Sequence, residues 1–266
     1  MKGFTLTLGL AVGAGVSFAA ERPAPLSDVG FEQRLDAQLP LDVSLRDEHG
    51  ETVQLGDYFG DKPVILSLVY FECPMLCTLS LNGLASALDV LSFDIGDEFD
   101  IVTVSFDHRE TPELASAKKA AYIDRYGRAG AQTGWHFLTG DEANVKRLTE
   151  AVGFRFAWDP ETEQWAHPAG VLVATPAGRL ARYLYGIEYA PKDLRLALVE
   201  AAEHRIGSPV DQLLLYCYRY DPATGKYGAQ IMTAVRAGGV LTVATLVGFI
   251  VLMRRRELRA AKAGQG

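Results

Sequence analysis

Cysteine is scarce in this chain: three among 266 residues, at Cys73, Cys77 and Cys217. Three are too few for the disulfide framework of a small stapled domain. The close pair therefore reads as a site and not as a staple. Basic clustering is equally sparse outside the C-terminal tail. No run of Lys and Arg is interleaved with aromatics, which argues against nucleic-acid binding. The net charge of −7 combines an acidic body with a basic tail. The chain also lacks internal repeats and low-complexity tracts. The stretch from Ala20 to Tyr227 is the size of one globular domain with a normal core.

Charge is missing altogether from Ala237 to Met253 (AGGVLTVATLVGFIVLM). This run is slightly short of the about 20 residues a membrane span needs. Arg236 can snorkel to extend it at one end. Arg254, Arg255 and Arg256 stop it at the other, with Arg259 and Lys262 behind. A positive cluster after a span predicts a cytoplasmic C-terminus. At the other end, Met1-Lys2 precedes the apolar, Gly/Ala-rich Gly3 to Val16, and Ser17-Phe18-Ala19 offers the small residues of a signal-peptidase site. An uncleaved anchor is the alternative. The expected organisation is a signal peptide over 1–19, a linker over 20–40 and a globular domain over 41–207. A juxtamembrane segment over 208–235, a transmembrane helix over 236–253 and a basic cytoplasmic tail over 254–266 follow. In a bacterium the domain is then periplasmic and the protein is a single-pass protein of the cell membrane.

Within the domain, apolar patterning predicts alternating elements. Val43 to Leu55 alternates around Asp47 to Gly50, as a hairpin does. Pro63 to Tyr70 is a continuous apolar run, as a central strand is, and Phe99 to Phe106 reads as a second central strand. Thr78 to Leu91 reads as a helix. Thr111-Pro112-Glu113 opens another that runs to about Tyr126, with Thr111 as the cap. Trp135 to Leu138 is a short strand, and Asp141 to Val152 a helix capped by Thr139 or Asp141. Gly170 to Thr175 and Arg179 to Tyr185 form a hairpin, and Lys192 to Arg205 a last helix. This order is that of an α/β, thioredoxin-like domain with an N-terminal β-hairpin. Its first two central strands are expected to be parallel neighbours.

Cys73 and Cys77 then fall between a strand and a helix, at the carboxyl end of the sheet, where open α/β folds place their sites. A helix N-terminus favours thiolate. Two thiolates can close a disulfide or hold a soft metal ion. Thiol–disulfide enzymes of this fold leave two residues between their cysteines; here three intervene, Pro74, Met75 and Leu76. That spacing invites a third ligand, and Cu(I) accepts two thiolates with an imidazole. His167, immediately before the strand Val171 to Thr175, is the candidate imidazole. Asp107 at the end of a central strand either orients the cysteine loop or caps the next turn. His108 and His136 read as ordinary surface or core histidines, and Met75 as a packing residue. Thr78 with Arg109 is too thin a basis for a peroxidatic cysteine. Cys217 reads as an incidental thiol in an aromatic interface belt, or else as an auxiliary one.

Four motifs together resemble the Sco/SenC family of copper-binding, membrane-anchored, thioredoxin-like proteins that help assemble the copper site of cytochrome c oxidase. They are Cys73-Pro74-Met75-Leu76-Cys77 after its strand, Val104 to Asp107 followed by Arg109-Glu110-Thr111-Pro112, Trp135 to Gly140, and His167 ahead of a strand, turn and strand ending in Gly178-Arg179-Leu180. The resemblance covers roughly Leu41 to Arg205. It implies that Cys73, Cys77 and His167 are copper ligands and that the partners are the copper-accepting oxidase subunit and other copper chaperones or thiol reductants. It implies either copper delivery or reduction of the oxidase's own cysteines. Two departures stand out. The family often has Asp directly before the histidine, where this chain has Ala166, and its anchor is usually N-terminal.

Overall fold

The structure, a computed structural model, describes residues 29–206, 220–221, 226–227 and 229–263. The proposed signal peptide, residues 20–28 of the proposed linker and Cys217 lie outside the described residues. The chain divides into two units, Met1–Ile206 and Gly207–Gly266.

In the first unit the strands are β1 (Gly30–Phe31), β2 (Ser44–Arg46), β3 (Thr52–Gln54), β4 (Val64–Val69), β5 (Asp100–Ser105) and β6 (Trp135–Leu138). They continue with β7 (Phe154–Arg155), β8 (Ala157–Asp159), β9 (Gln164–Ala166), β10 (Gly170–Ala174) and β11 (Leu180–Tyr185). The helices are α1 (Leu76–Asp89), α2 (Pro112–Tyr126), the single turn α3 (Ala131–Gly134), α4 (Glu142–Ala151) and α5 (Pro191–Ala202). The main sheet has five strands in the order β11-β10-β4-β5-β6. β4, β5 and β6 are parallel, with Ile65 opposite Ile101 and Ile101 opposite Trp135. β10 returns antiparallel to β4 and pairs antiparallel with β11.

Every residue of β4 is buried, so its run VILSLV needs no polar alternation. α2 packs on β6, α5 on β10 and β11, and α1 touches both α2 and α5. The Asp141 carboxylate caps α4 by accepting the Asn144 N–H at 2.8 Å, which selects Asp141 over Thr139. Thr111 occupies the N-cap of α2 without a capping hydrogen bond from its side chain. The fixed φ of Pro112 and the acidic first turn of that helix supply the start instead.

Residues 30–40 depart from the expected linker. β1 pairs with β7, and Leu39 is buried in the core. Asp36 N–H donates to Leu180 O at 2.9 Å and Leu180 N–H to Ala37 O at 3.0 Å, which lays this segment along the outer side of β11. The segment shows little side-chain periodicity, but its backbone still pairs. At the opposite edge the β2–β3 hairpin reaches β6. Arg46 and Thr139 exchange N–H···O bonds of 2.8 and 2.9 Å, and Glu48 accepts the Phe137 N–H at 3.3 Å while pairing with the buried Lys119. The β8–β9 hairpin has no counterpart among the sequence expectations.

In the second unit Tyr220–Asp221 pairs with Lys226–Tyr227, and one helix runs over Ala229–Ala263. Its Arg236–Arg255 stretch is long and apolar enough to cross a membrane, with a mean hydropathy of 1.9.

Candidate metal centre

The cysteine arm grows from the C-terminal end of β4. The chain turns at Tyr70, where Cys73 N–H donates to Tyr70 O at 3.3 Å, and α1 begins three residues later at Leu76. No side chain caps that helix in the usual way. Instead the Cys73 sulfur accepts the Cys77 N–H at 3.2 Å, so a sulfur satisfies one of the free amides of the first turn. The Cys77 sulfur in turn accepts the Tyr70 N–H at 3.3 Å.

The loop before Cys73 is held by Glu110, and not by Asp107. Glu110 Oε2 accepts the Phe71 N–H at 2.7 Å and the Ser105 hydroxyl at 2.5 Å, and Oε1 accepts the Glu72 N–H at 2.7 Å. Burial pushes the Glu110 pKa up against those hydrogen bonds. Asp107 serves the other arm. It accepts Arg109 Nε at 2.8 Å, Arg109 Nη2 at 2.6 Å and the Trp165 indole N–H at 2.8 Å. Burial opposes its charge, but the Arg109 and Trp165 bonds prevail and hold its pKa below the ordinary value.

The histidine arm is the β8–β9 hairpin. It carries Trp158 and Trp165 and ends beside His167. The Arg109 guanidinium lies 4.7 Å from the Trp158 ring and 5.4 Å from the Trp165 ring. His167 Nδ1 sits 3.0 Å from the Pro168 carbonyl, which can only accept, so Nδ1 carries the proton. Nε2 then presents a lone pair and lies 3.2 Å from the Cys77 sulfur. A backbone carbonyl thus orients the imidazole in a chain with Ala166 before the histidine. Rings of Tyr70, Phe106 and Phe154 surround it with centroids 5.7, 5.1 and 6.4 Å away.

One Cys73 sulfur, one Cys77 sulfur and one His167 nitrogen lie within 4.8 Å of one another. The three residues are 7%, 2% and 9% exposed, and both cysteines are free thiols. A hydrogen bond from Cys77, helped by nearby amides and opposed by burial, lowers the Cys73 pKa to about 3. Burial, then the neighbouring Cys73, pushes Cys77 up. The pair therefore holds one thiolate and one thiol near neutral pH. A cavity of about 250 Å³ opens beside it, lined by Tyr70, Cys73, Met75, Leu76, Trp165 and His167 among others.

The remaining sequence candidates fall elsewhere. Met75 is 66% exposed and does not pack. The His136 ring lies 4.4 Å from that of Tyr58, tilted by 47°, and burial lowers its pKa. His108 is exposed and lines a different cavity with Arg46 and Thr139. Arg109 is committed to Asp107. Glu110 and Trp165 are the supporting residues the sequence reading did not single out. The Glu-Thr-Pro run at the start of α2 and the spacing of Trp165 two residues before His167 are the only local signals of them.

Fold and site together define a thioredoxin-like α/β domain with a buried dithiol–imidazole cluster. Residues 32–202 match the SCO1/SenC family, and the chain belongs to that family. Among solved structures it is similar to a putative electron transfer protein from Aquifex aeolicus VF5, at 28% identity over 65% of this chain and 96% of that one, with a TM-score of 0.56. It is also similar to a SCO1/SenC family lipoprotein from Bacillus anthracis str. Ames, at 16% identity over 65% and 99% of the two chains, with a TM-score of 0.52. For Arabidopsis thaliana ScoI with copper bound the figures are 20% identity, 60% and 96% coverage, and a TM-score of 0.48. No curated protein matches this chain.

Proposed function

We propose that this chain is a membrane-anchored copper chaperone. Cys73, Cys77 and His167 hold one copper ion as cargo, for delivery to the copper-accepting subunit of cytochrome c oxidase during assembly. The observation that carries the reading is the meeting of two sulfurs and an imidazole nitrogen within 4.8 Å. Soft thiolates with imidazole suit Cu(I). A structural zinc site takes four ligands, and among the described residues no fourth His, Cys, Asp or Glu joins this group. The residues fit the cargo in protonation as well. Cys73 favours thiolate, and the His167 lone pair already points inward. Membership of the SCO1/SenC family supports the oxidase as the destination.

The anchor in this proposal is the Arg236–Arg255 stretch, with the basic C-terminal tail in the cytoplasm and the domain on the periplasmic side. Residues 1–19 serve as the export signal. A topology reporter fused after Gly266 reads cytoplasmic if this is right; a periplasmic signal reverses it.

The low Cys73 pKa favours a second reading, thiol–disulfide reduction. The Cys73 thiolate attacks a substrate disulfide and forms a mixed disulfide, expelling one substrate thiolate. Cys77, giving up its proton, then closes the Cys73–Cys77 disulfide and releases the second, so the pair's two electrons reduce the substrate. His167→Ala separates the readings. Chaperone function requires a sharp loss of copper affinity and of oxidase assembly in cells. Retained assembly in His167→Ala, with loss in either cysteine variant, establishes the reductase instead.

A further inference from the structure

The three proposed ligands are buried, yet a cargo ion has to arrive from one protein and leave to another. Near the cavity mouth stands a soft donor that the proposed ligand set does not use. Met75 lies between the two cysteines, lines the same cavity as Cys73 and His167, and is 66% exposed. It is the N-cap residue of α1, and its side chain makes no capping bond. Its backbone is fixed: Met75 O accepts the Leu79 N–H at 2.9 Å. Its side chain is an unbranched thioether with three rotatable bonds. Thioether sulfur selects Cu(I), as thiolate does, but carries no charge and does not need to lose a proton.

We propose that Met75 is an entry ligand, whose thioether binds Cu(I) at the mouth of the cavity and exchanges it with the buried cluster in both directions. This rests on the copper reading above. The step is a ligand exchange. The thioether lone pair forms a bond to Cu(I) as the donor's bond breaks, and the departing ligand keeps its electron pair. Cys73, His167 and Cys77 then displace the thioether, with the Cys77 proton passing to water. Copper remains Cu(I) throughout, so no oxidant or reductant is needed.

The test is stopped-flow loading of the reduced full-length protein from a Cu(I)–bicinchoninate complex, and unloading to excess bicinchoninate. Met75→Leu keeps the size and apolarity of an exposed side chain and removes only the sulfur. The expected result is loading and unloading each slowed by about tenfold, with an unchanged dissociation constant, since a change in barrier alone moves both rates together. Unchanged rates overturn the proposal. A lowered affinity with faster unloading also overturns it, because Met75 is then a resident ligand. Failure of the wild-type protein to take up copper at all defeats the chaperone reading itself, and is distinct from either result. A second measurement looks at the bond. Met75 is the only methionine between residues 29 and 206, so selenomethionine labelling marks the cavity mouth. In His167→Ala, where a coordination position is vacated, selenium-edge absorption should detect a copper neighbour that Met75→Leu removes. Absence of that neighbour counts against the entry role.

Discussion

The two arms of the site are built differently. The cysteine arm is local. Cys73 and Cys77 stand on one turn, where their sulfurs accept the Cys77 and Tyr70 N–H groups respectively, and only Glu110 holds their loop from a distance. The histidine arm is assembled at long range. His167 meets Cys77 across 90 residues of sequence, and Trp165 meets Asp107 across 58. One arm is rigid through helix and strand ends. The other depends on a two-stranded hairpin held by an indole, a guanidinium and a ring of aromatics. The cysteine arm therefore sets whether the cluster exists, and the histidine arm sets how well it closes.

Substitutions can break this comparison, starting with the largest effect. Cys73→Ala or Cys77→Ala removes a thiolate, and equilibrium dialysis against a Cu(I) chelator should find stoichiometric copper retention lost. His167→Ala should weaken retention by more than about 100-fold, beyond the range for residues that only support a ligand. Near-equal affinities for His167→Ala and the wild type would remove the imidazole from the site.

Glu110→Ala leaves the Phe71 and Glu72 amides without their acceptor. A buried donor without a partner costs about 1–3 kcal/mol, so urea unfolding should show a loss of at least that size. Asp107→Asn or Trp165→Phe, on the other arm, should lower copper affinity by about tenfold, with a smaller loss of stability than Glu110→Ala. If Asp107→Asn destabilises as much as Glu110→Ala, the division of labour between the two carboxylates is wrong.

Acidity probes the cysteine arm through Cys73. Cys73 falls from an ordinary 9.0 to about 3, chiefly through its hydrogen bond with Cys77. Thiolate then persists on acidification, and alkylation of Cys73 should proceed at pH 5 at nearly its neutral rate. A drop of about a hundredfold between pH 7 and 5, as an unperturbed thiol shows, contradicts the lowered value. The stability linkage has a definite sign. A lowered folded pKa contributes stability that is complete above 9.0 and is lost as pH falls through the window down to about 3. Cys77, raised by burial, acts oppositely: its contribution is present below 9.0 and is lost as pH rises above it. The smallest effect belongs to Arg109→Lys, which keeps the charge near Asp107 but gives up the fork and the stacking on Trp158. A loss of about 0.5–1 kcal/mol is expected from unfolding curves.

What the sequence revealed follows the same division. β4 was readable because a fully buried strand needs a continuous apolar run, β5 because its apolar residues dominate, and Trp135–Leu138 matched its expected bounds. Cys73 and Cys77 were readable because their spacing lies within one turn. Glu110 was not, because a carboxylate near the start of a helix looks like an ordinary first-turn acid until β4 is laid beside β5. Nor was the Pro168 carbonyl, since backbone groups leave no residue signature. The β8–β9 hairpin was hidden by strands of three residues each, too short for a period to register. The segment over 30–40 was hidden because it pairs by backbone and shows little side-chain periodicity.

That last segment has a further consequence. A five-stranded open sheet has two outer strands, here β11 and β6. Residues 36–39 run along one, and the β2–β3 hairpin reaches the other through Arg46, Thr139 and Glu48. Bare strand edges are templates for joining one molecule to the next. With both flanks engaged by its own chain, this domain can be crowded without its sheet recruiting neighbours. Truncation before residue 40 should cost it that resistance to aggregation.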